Sequence, residues 1–349
     1  MSNIMLIDAC NLKCSYCFAN EFVNVSRNEI SLEAFSKALE FILGDGSESF
    51  VGIIGGEPTL HPLFDTMMRI AITDERANVI MLYTNGLLLH EHWDVCCHAK
   101  THLLINCNSP TDIGKKPFKQ LCNNLEILLE QKMCKDRVTL GINMYKPDFE
   151  YRYLIDLLKE HKLDHVRVSI TVPNMDVQRN TDAHSYFMLM KPNLIRFFHE
   201  LLENNIIPNF DCNKIPPCLL EKEDIEGFYR YFSKPFIKKR INKSNIANRR
   251  VTCSPVVDIR QDLTAVRCFG LSSCTKQRID KFKGIKDLKN YYYRTIDAFA
   301  WNSVYSSSCS SCYDRQVLSC NGGCMAFKIN EILQLAEFAK RRLDNEFTD

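Results

Sequence analysis

The sequence has no long apolar run, no cationic amino terminus and little net charge. Nothing in its 349 residues runs about 18 apolar positions without a charge, as a membrane span would. The opening segment "MSNIMLIDAC" lacks the basic start, apolar stretch and small-residue cleavage site of a secretory signal. With a formal net charge of only +2, the chain as a whole has no strong positive field that would attract polyanions. We therefore expect a globular chain of the cytoplasm with no membrane partner.

Cysteine, in contrast, is abundant, at 17 residues. A reducing compartment does not keep so many cysteines as disulfides, so we expect a large subset to be metal ligands and the rest to be buried thiols. The apolar content of 46% and the length allow a large core, in one big domain with a smaller one beside it.

Strand and helix patterns alternate through about the first 205 residues. Runs rich in Val, Ile and Leu, typical of parallel strands buried on both faces, lie at 4–7, 50–54, 78–82, 103–106, 138–143 and 166–170. Between them apolar residues recur at spacings of three and four, and Ser31 is a candidate N-cap of the first helix. Six such units predict an α/β fold, a partial (β/α)6 TIM-type barrel or an open parallel sheet.

Ligands of these folds bind at the carboxyl ends of the strands. The segments that carry chemistry do follow strands: a cysteine loop follows the first, "GGEP" the second, "TNG" the third and "NCNSP" the fourth. The loop "DACNLKCSYCFAN" holds Cys10, Cys14 and Cys17 in a C-x3-C-x2-C pattern. Three thiolates at this spacing leave one corner of a four-iron cubane without a protein ligand. A zinc site, which favours four closed ligands, and three merely buried thiols are the alternatives.

The cysteine loop with its aromatic Tyr16, together with Gly55, Gly56, Glu57 and Pro58 after the second strand, resembles the radical S-adenosylmethionine (radical SAM) enzymes over about 200 residues. The resemblance implies that Cys10, Cys14 and Cys17 hold a [4Fe-4S] cluster whose fourth iron binds SAM. It implies reductive cleavage of SAM to a 5'-deoxyadenosyl radical that abstracts a substrate hydrogen. It also implies that Tyr16 lies beside the adenine and that the Gly-Gly-Glu-Pro segment receives the SAM amino group, for which two glycines and a carboxylate are suited.

Three asparagines at or near strand ends, Asn85, Asn108 and Asn143, are candidates to bond the ribose hydroxyls or the SAM carboxylate. Asparagine is also a common turn residue, which is the alternative for each. Arg167, inside the sixth strand pattern, is a candidate to pair with a carboxylate at the barrel mouth or to form a structural ion pair. No catalytic acid or base is identified.

Residues 90–102, "HEHWDVCCHAKTH", suggest a zinc cluster at first sight. The segment is predicted to be an amphipathic helix, on which adjacent cysteines point to different faces, so we expect these side chains to be core or surface residues. Cys122 and Cys134 are expected to serve packing.

The final third of the chain differs from the barrel pattern. From about residue 212 the alternation stops and nine cysteines occur: Cys212, Cys218, Cys253, Cys268, Cys274, Cys309, Cys312, Cys320 and Cys324. The segment 253–268 is predicted to be a hairpin that turns near 261–263 and brings its two terminal cysteines together. Cysteines 309 to 324 follow a C-x2-C-x7-C-x3-C pattern.

These features resemble the SPASM or twitch-like extension of radical SAM enzymes, which implies one or two auxiliary [4Fe-4S] clusters. Four-cysteine zinc is the alternative for the last four cysteines. The match departs from the family pattern, since Leu263 stands where the hairpin turn usually has glycine, the interval from Cys312 to Cys320 is longer than usual, and no cysteine follows Cys324. Cys212, Cys218 or Cys274 would then supply the cluster ligands that the family pattern places elsewhere. Nine cysteines supply the eight ligands of two cubanes, and one cluster with spare thiols stays open.

We therefore expect a radical SAM barrel at 1–205, a linker region at 206–252 and an auxiliary iron-sulfur domain at 253–349. By family association the predicted activity is oxidation of a peptide or protein side chain, as a crosslink, thioether or dehydrogenation of the ribosomal peptide maturase type. A radical SAM dehydrogenase of a small molecule is the alternative. A non-enzymatic iron-sulfur or zinc protein is the alternative from another class, against which Glu57 in its Gly-Gly-Glu-Pro context argues.

The expected partners are a peptide or protein substrate and an external one-electron reductant of the flavodoxin or ferredoxin type. Nine residues before Cys10 leave no room for a leader-binding domain, so a leader would bind a separate protein, the barrel surface or the basic segment 230–250. That segment has no acidic residue, and a solvated linker is its alternative role. Nothing supports nucleic-acid binding there.

Overall fold

The computed structural model describes part of the chain in detail. The described residues are 2–17, 19, 22–171, 183–210, 220–232, 234–235, 237, 253–272, 274–299, 309, 311–317, 320, 324–326, 328–329 and 332–333. Two predicted ligands, Cys212 and Cys218, and most of the basic segment 230–250 lie outside the described residues.

One mixed sheet organises the described residues. Its strands are β1 Ser2–Met5, β2 Phe50–Ile54, β3 Val79–Thr84, β4 Thr101–Asn106, β5 Val138–Met144, β6 His165–Ile170, β7 Ile207–Phe210, β8 Val257–Ile259, β9 Thr264–Val266 and β10 Gln277–Arg278. They lie in the order β10-β9-β8-β1-β2-β3-β4-β5-β6-β7. Neighbours from β1 to β7 are parallel, and so are β1 and β8, whereas β8, β9 and β10 pair antiparallel. The predicted α/β class with a partial barrel of parallel strands is confirmed.

The six predicted strands are all present, although the first spans Ser2–Met5 rather than 4–7. The sequence patterns missed β7, a four-residue strand that contains Pro208. The predicted hairpin is confirmed as β8 and β9, joined by a turn at 260–263. Its attachment to the barrel was not predicted, since β8 pairs with β1 from the other end of the chain.

A helix follows each strand from β1 to β7, and further helices occur later in the described residues. They are α1 Leu32–Leu43, α2 Phe64–Thr73, α3 Trp93–Cys96, α4 Pro110–Ile113, α5 Lys115–Glu126, α6 Arg152–Glu160, α7 Ala183–Glu203, α8 Lys222–Phe232, α9 Ile285–Tyr292 and α10 Tyr313–Gln316. The Ser31 Oγ accepts the Ala34 N–H at 3.1 Å, which confirms Ser31 as the N-cap of α1. In the described residues no helix is both long and apolar enough to cross a membrane.

Strands β3 and β4 show how the two faces of the sheet differ. Along each strand, buried residues alternate with partly exposed ones, the latter being Val79, Met81 and Tyr83 on β3 and His102, Leu104 and Asn106 on β4. Since successive side chains point to opposite faces, the helices bury one face and leave the other partly open. The partly open face leads to the strand ends that carry the candidate site.

The prediction of one amphipathic helix over residues 90–102 is wrong. A short 3-10 turn at Leu89–Glu91 and the four-residue α3 occupy this stretch, and β4 begins at Thr101. The backbone of His92 is non-helical, which separates the two turns. Cys96 is buried in the core, as are Cys134 and, in part, Cys122, so these cysteines pack as expected.

Candidate functional site

The three-cysteine loop leaves the end of β1 and is held by Asn24. The Asn24 Oδ1 accepts the Cys10 N–H at 2.8 Å, and its Nδ2 donates to the Leu12 carbonyl at 3.2 Å. Asn24 adopts a left-handed backbone (φ 61°), which asparagine tolerates better than most residues. Inside the loop the Cys17 N–H donates to the Cys14 carbonyl at 3.1 Å. The loop therefore has a defined shape made mostly by backbone groups.

The three thiols share one electrostatic environment. The pKa of Cys10 is raised to about 12, chiefly by burial and also by the charges of Glu57, Cys14 and Cys17, while the hydrogen bond from the Leu12 N–H opposes the rise. Burial also raises the pKa values of Cys14 and Cys17. Thiolates at these positions need a positive partner, which iron supplies. A set of three thiols on one loop fits a four-iron cluster with one open position.

Among the described residues, no three side chains of His, Cys, Asp or Glu form a group that could hold a single metal ion. The fit of the three thiols to a four-iron cluster therefore rests on their residue type and on their spacing along the loop.

The Gly-Gly-Glu-Pro segment after β2 lies against the start of the cysteine loop. The Gly56 N–H donates to the Ile7 carbonyl at 2.7 Å, and the Glu57 N–H donates to the Ala9 carbonyl at 2.8 Å. A Cβ atom on Gly56 would lie 2.2 Å from the Ala9 carbonyl oxygen. The close approach of two backbone segments therefore requires a glycine at this position.

The Glu57 side chain is buried, with 1% of its surface exposed. Its Oε1 accepts hydrogen bonds from the Thr59 N–H at 3.3 Å and from the hydroxyls of Thr59 and Thr84 at 2.7 Å each, and its Oε2 accepts the Asn85 N–H at 2.8 Å. Burial raises the pKa of Glu57, and these donors oppose the rise. The carboxylate thus ties the loop after β2 to the loop after β3.

The three predicted asparagines have different partners. The Asn85 Nδ2 donates to the Asn11 Oδ1 of the cysteine loop at 2.7 Å. The Asn108 Oδ1 accepts from the Tyr16 hydroxyl, and its Nδ2 lies 3.7 Å from the Cys14 sulfur. The Asn143 Oδ1 instead accepts from Arg167 Nη1 at 2.7 Å. Two of the three asparagines therefore contact the cysteine loop directly.

The aromatic Tyr16 stacks on Tyr145, with ring centroids 4.6 Å apart and planes at 28°. The Tyr145 hydroxyl donates to Asp112 Oδ1 at 2.6 Å. Burial raises the pKa of Tyr16, so its hydroxyl stays protonated and donates to Asn108. The sequence interpretation missed Tyr145, although its place directly after β5 is a signal that could have found it.

In the cysteine-rich region a first group of thiols comprises Cys253, Cys268 and Cys324. Burial raises the pKa of Cys268, the Arg267 cation opposes the rise, and Cys253 and Cys324 add to it. The hairpin therefore brings Cys253 and Cys268 into one environment, as predicted. Gly270 lies close to the chain after Cys324, since a Cβ on it would be 2.8 Å from the Ala326 Cβ.

A second group comprises Cys309, Cys312 and Cys320. The Cys312 N–H donates to the Cys309 carbonyl at 3.3 Å. Cys309 and Cys320 also act on Lys328: burial and Arg315 lower the pKa of this lysine to about 8, and the two cysteines oppose the shift. Cys274 is exposed, and its thiol donates to the Leu271 carbonyl at 3.6 Å.

The two cysteine regions meet at the β8–β9 hairpin. The Gln261 Nε2 donates to Asp8 Oδ1 at 2.7 Å, just before the barrel cysteine loop. Phe269, which follows Cys268, packs on Phe22 with centroids 5.9 Å apart, and the Arg260 guanidinium lies 4.1 Å from the centroid of the same ring. The turn of the hairpin is therefore attached to the same end of the sheet as the barrel loop, whereas Cys253 and Cys268 flank the other end of the hairpin.

Comparison with known proteins agrees with this geometry. Residues 4–142 match the family model described as the Radical SAM superfamily. The chain is similar to GTP 3',8-cyclase of Chlorobaculum tepidum, at 31% identity over 96 residues or 28% of this chain, and to that of Synechocystis sp., at 32% over 92 residues or 26%. The chain spans about 28% of the length of these curated relatives.

Solved structures share the fold over more of the chain. Streptococcus suis SuiB bound to S-adenosylmethionine has a TM-score of 0.60 at 17% identity, covering 93% of this chain and 72% of that one. SuiB bound to the precursor peptide SuiA gives 0.57 at 18%, with 93% and 71% covered. The protein anSMEcpe with bound AdoMet gives 0.63 at 18%, with 99% and 98% covered.

Proposed function

We propose that this chain, a member of the radical SAM superfamily, oxidises a side chain of a peptide or protein substrate. The observation that carries the proposal is the three-thiol loop at the end of β1, joined through the hairpin to further groups of cysteines. The fold shared with SuiB, which has been solved with a precursor peptide, supports the peptide as the substrate class.

In this proposal Cys10, Cys14 and Cys17 hold a [4Fe-4S] cluster that binds SAM. When bound and reduced by the external reductant, this cluster would supply one electron for the reductive cleavage of SAM, and so the chemistry for abstracting a hydrogen atom from the substrate. Tyr16, held by Asn108 and stacked on Tyr145, gives the adenine a fixed aromatic neighbour. Asn85, Asn108 and Asn143 are the candidates to bond the ribose hydroxyls or the SAM carboxylate.

The SAM amino group is proposed to bind at Gly55, Gly56, Glu57 and Pro58. Since four protein donors already occupy the Glu57 carboxylate, we assign the hydrogen bonds of the ammonium group to backbone carbonyls of this segment. Glu57 then acts by its nearby negative charge and by fixing the loop, and Asn85 connects that loop to the cysteines.

The two groups of thiols in the cysteine-rich region are proposed to hold two auxiliary clusters of a SPASM-like extension. One would use Cys253, Cys268 and Cys324, and the other Cys309, Cys312 and Cys320, with Cys212, Cys218 and Cys274 as candidates for further positions. Once a hydrogen atom has left the substrate, a second electron must leave for a net two-electron oxidation. An auxiliary cluster would accept this electron, and the matching proton would pass to solvent.

The proposal includes the domain limits 1–205, 206–252 and 253–349 and an external reductant of the flavodoxin or ferredoxin type. A leader sequence would bind a separate protein, the barrel surface or the basic segment 230–250.

The test is an anaerobic incubation of the reconstituted protein with dithionite, SAM and, in separate reactions, the peptide product of each short open reading frame found beside its gene. We expect 5'-deoxyadenosine formation to rise with the peptide and the peptide to lose two hydrogens, measured by chromatography and mass spectrometry. SAM cleavage without any change in mass of the peptide would contradict the peptide assignment.

Action on a small molecule is the second candidate, because both curated relatives are GTP 3',8-cyclases, whose substrate is a nucleotide. The matched stretches cover about 28% of each relative. The similarity is therefore too short to assign GTP as the substrate of this chain. GTP replaces the peptide in a parallel incubation. Consumption of GTP, with the peptide unchanged, would favour this second function.

A further inference from the structure

We propose that Arg267 is a positioning residue for the auxiliary cluster bound through Cys253, and that its guanidinium raises the reduction potential of that cluster by donating hydrogen bonds to the Cys253 sulfur. This inference rests on the proposed function, because it requires Cys253 to be a cluster ligand.

Arg267 is a fully buried cation held by a buried carboxylate. It stands between the end of β9 and Cys268, with 0% of its surface exposed, and Asp297 has 1% exposed. The Arg267 Nε donates to Asp297 Oδ1, and its Nη2 donates to Asp297 Oδ2 at 2.9 Å. The bidentate pair fixes both the position and the plane of the guanidinium.

The other edge of the guanidinium faces Cys253. Its Nη1 lies 3.5 Å and its Nη2 lies 3.6 Å from the Cys253 sulfur, and Nη2 is also 3.5 Å from the Cys253 carbonyl oxygen. A guanidinium has five N–H donors, and Asp297 receives two of them. The donors on the remaining edge are therefore directed at the sulfur and carbonyl of one cysteine.

Stability alone is a weak reason to keep this pair. Desolvation of two buried charges commonly cancels their attraction, and apolar replacements of such pairs are often neutral or stabilising. The pair has no net charge, yet it presents its donor edge to a sulfur that would be negative as a cluster ligand. That orientation gives the pair a role at the cluster site.

The expected direction of the effect follows from charge. A cluster becomes more negative on reduction, so N–H donors on a ligand sulfur stabilise its reduced state and raise its potential. The burial of Arg267 strengthens the effect, because a low dielectric screens the cation poorly. The chain thus sets the potential of this cluster through a residue that need not bind iron.

The test uses the full chain carrying Cys10→Ala/Cys14→Ala/Cys17→Ala, so that only the auxiliary clusters contribute to the paramagnetic signal. Arg267→Gln and the control Arg278→Gln are added separately, since Arg278 is exposed and pairs with Asp280 in the same region. The reduced fraction is measured by electron paramagnetic resonance at a fixed applied potential. We expect Arg267→Gln to lower the reduced-to-oxidised ratio of one cluster about tenfold, or about 59 mV for one electron, and Arg278→Gln to leave it unchanged.

Asp297→Asn gives a second and opposite prediction, because it removes the negative partner and leaves the cation beside the sulfur. We expect this variant to raise the reduced-to-oxidised ratio. It decides the question by itself if Arg267→Gln fails to load iron. An unchanged ratio in an iron-loaded Arg267→Gln or Asp297→Asn variant would overturn the proposal.

Cys253→Ser separates this inference from the proposed function. If Cys253→Ser leaves the auxiliary iron content and spectra unchanged, the assignment of Cys253 as a ligand fails. If Cys253→Ser changes them and the two charge variants do not shift the ratio, the role of Arg267 fails alone.

Discussion

The barrel cysteine loop and the cysteine-rich region hold their thiols in different ways. In the barrel, backbone groups and amides shape the loop: Asn24 caps it, and Gly56 lets the next strand end approach the backbone before Cys10. In the second region a buried ion pair, Arg267 with Asp297, faces the sulfur of Cys253. Neutral groups thus shape the barrel loop, whereas a buried pair of opposite charges lies beside Cys253.

The largest expected effect is a change in iron content, which distinguishes the cysteine-rich region from the barrel loop. Cys253→Ala/Cys268→Ala/Cys324→Ala should remove about four of about twelve irons and leave the barrel cluster in place, because Asn24 and the Gly56 backbone hold the barrel loop and none of these three thiols does. Iron analysis and electron paramagnetic resonance of the anaerobically reconstituted protein measure the change. An iron content equal to that of the unmodified protein would show that this group of thiols holds no cluster.

A second prediction concerns the backbone contact that shapes the barrel loop. Gly56→Ala places a Cβ 2.2 Å from the Ala9 carbonyl oxygen, and Gly55→Ala places one 2.9 Å from the Ile7 carbonyl oxygen. We expect a loss in the free energy of unfolding of about 3 kcal/mol for Gly56→Ala and about 1 kcal/mol for Gly55→Ala. Urea denaturation of the iron-free chain measures both, and equal losses would refute the proposed close approach.

A third and comparable prediction concerns Glu57. In Glu57→Gln an amide N–H₂ replaces one of the two acceptor oxygens, so at least one of the donors around it is left without a partner. We expect a loss of about 1–3 kcal/mol in the free energy of unfolding. Glu33→Gln, at an exposed ion pair with Lys37, is the matched control and should change little. If the two variants behave alike in denaturation, Glu57 does not tie the loops together.

The smallest expected effect lies in the cysteine-rich hairpin. Leu263 has a left-handed backbone (φ 60°), the conformation that the usual glycine adopts without strain. Leu263→Gly should relieve about 1 kcal/mol of strain and lose a similar amount in packing and chain entropy, so stability stays within about 1 kcal/mol. Val266→Gly on the buried strand β9 should destabilise clearly in the same denaturation experiment. Equal destabilisation by the two would mean that the Leu263 turn carries no strain.

The comparison also shows what the sequence could predict. The six parallel strands could be predicted because their segments are rich in Val, Ile and Leu, whereas Pro208 and the short length of β7 hid that strand. The parallel pairing of β8 with β1 joins distant parts of the chain, and no local pattern encodes it. The hairpin itself was found from its local alternation.

In the candidate site, too, the features with a local sequence pattern could be predicted, and those that join distant parts of the chain could not. Cys10, Cys14 and Cys17 and the Gly-Gly-Glu-Pro segment were visible because each follows a strand at a fixed spacing. The contact of Arg267 with Cys253 and Asp297 depends on the hairpin fold and on a helical turn 30 residues later, so only the structure reveals it.

Cleavage of SAM tests the central claim most directly. The reduced protein is incubated anaerobically with SAM, and 5'-deoxyadenosine is measured for the unmodified chain and for Cys10→Ala/Cys14→Ala/Cys17→Ala. We expect the unmodified chain to form 5'-deoxyadenosine and the triple variant to form none. Cleavage that persists in the triple variant would contradict the assignment of these three cysteines to the SAM-binding cluster.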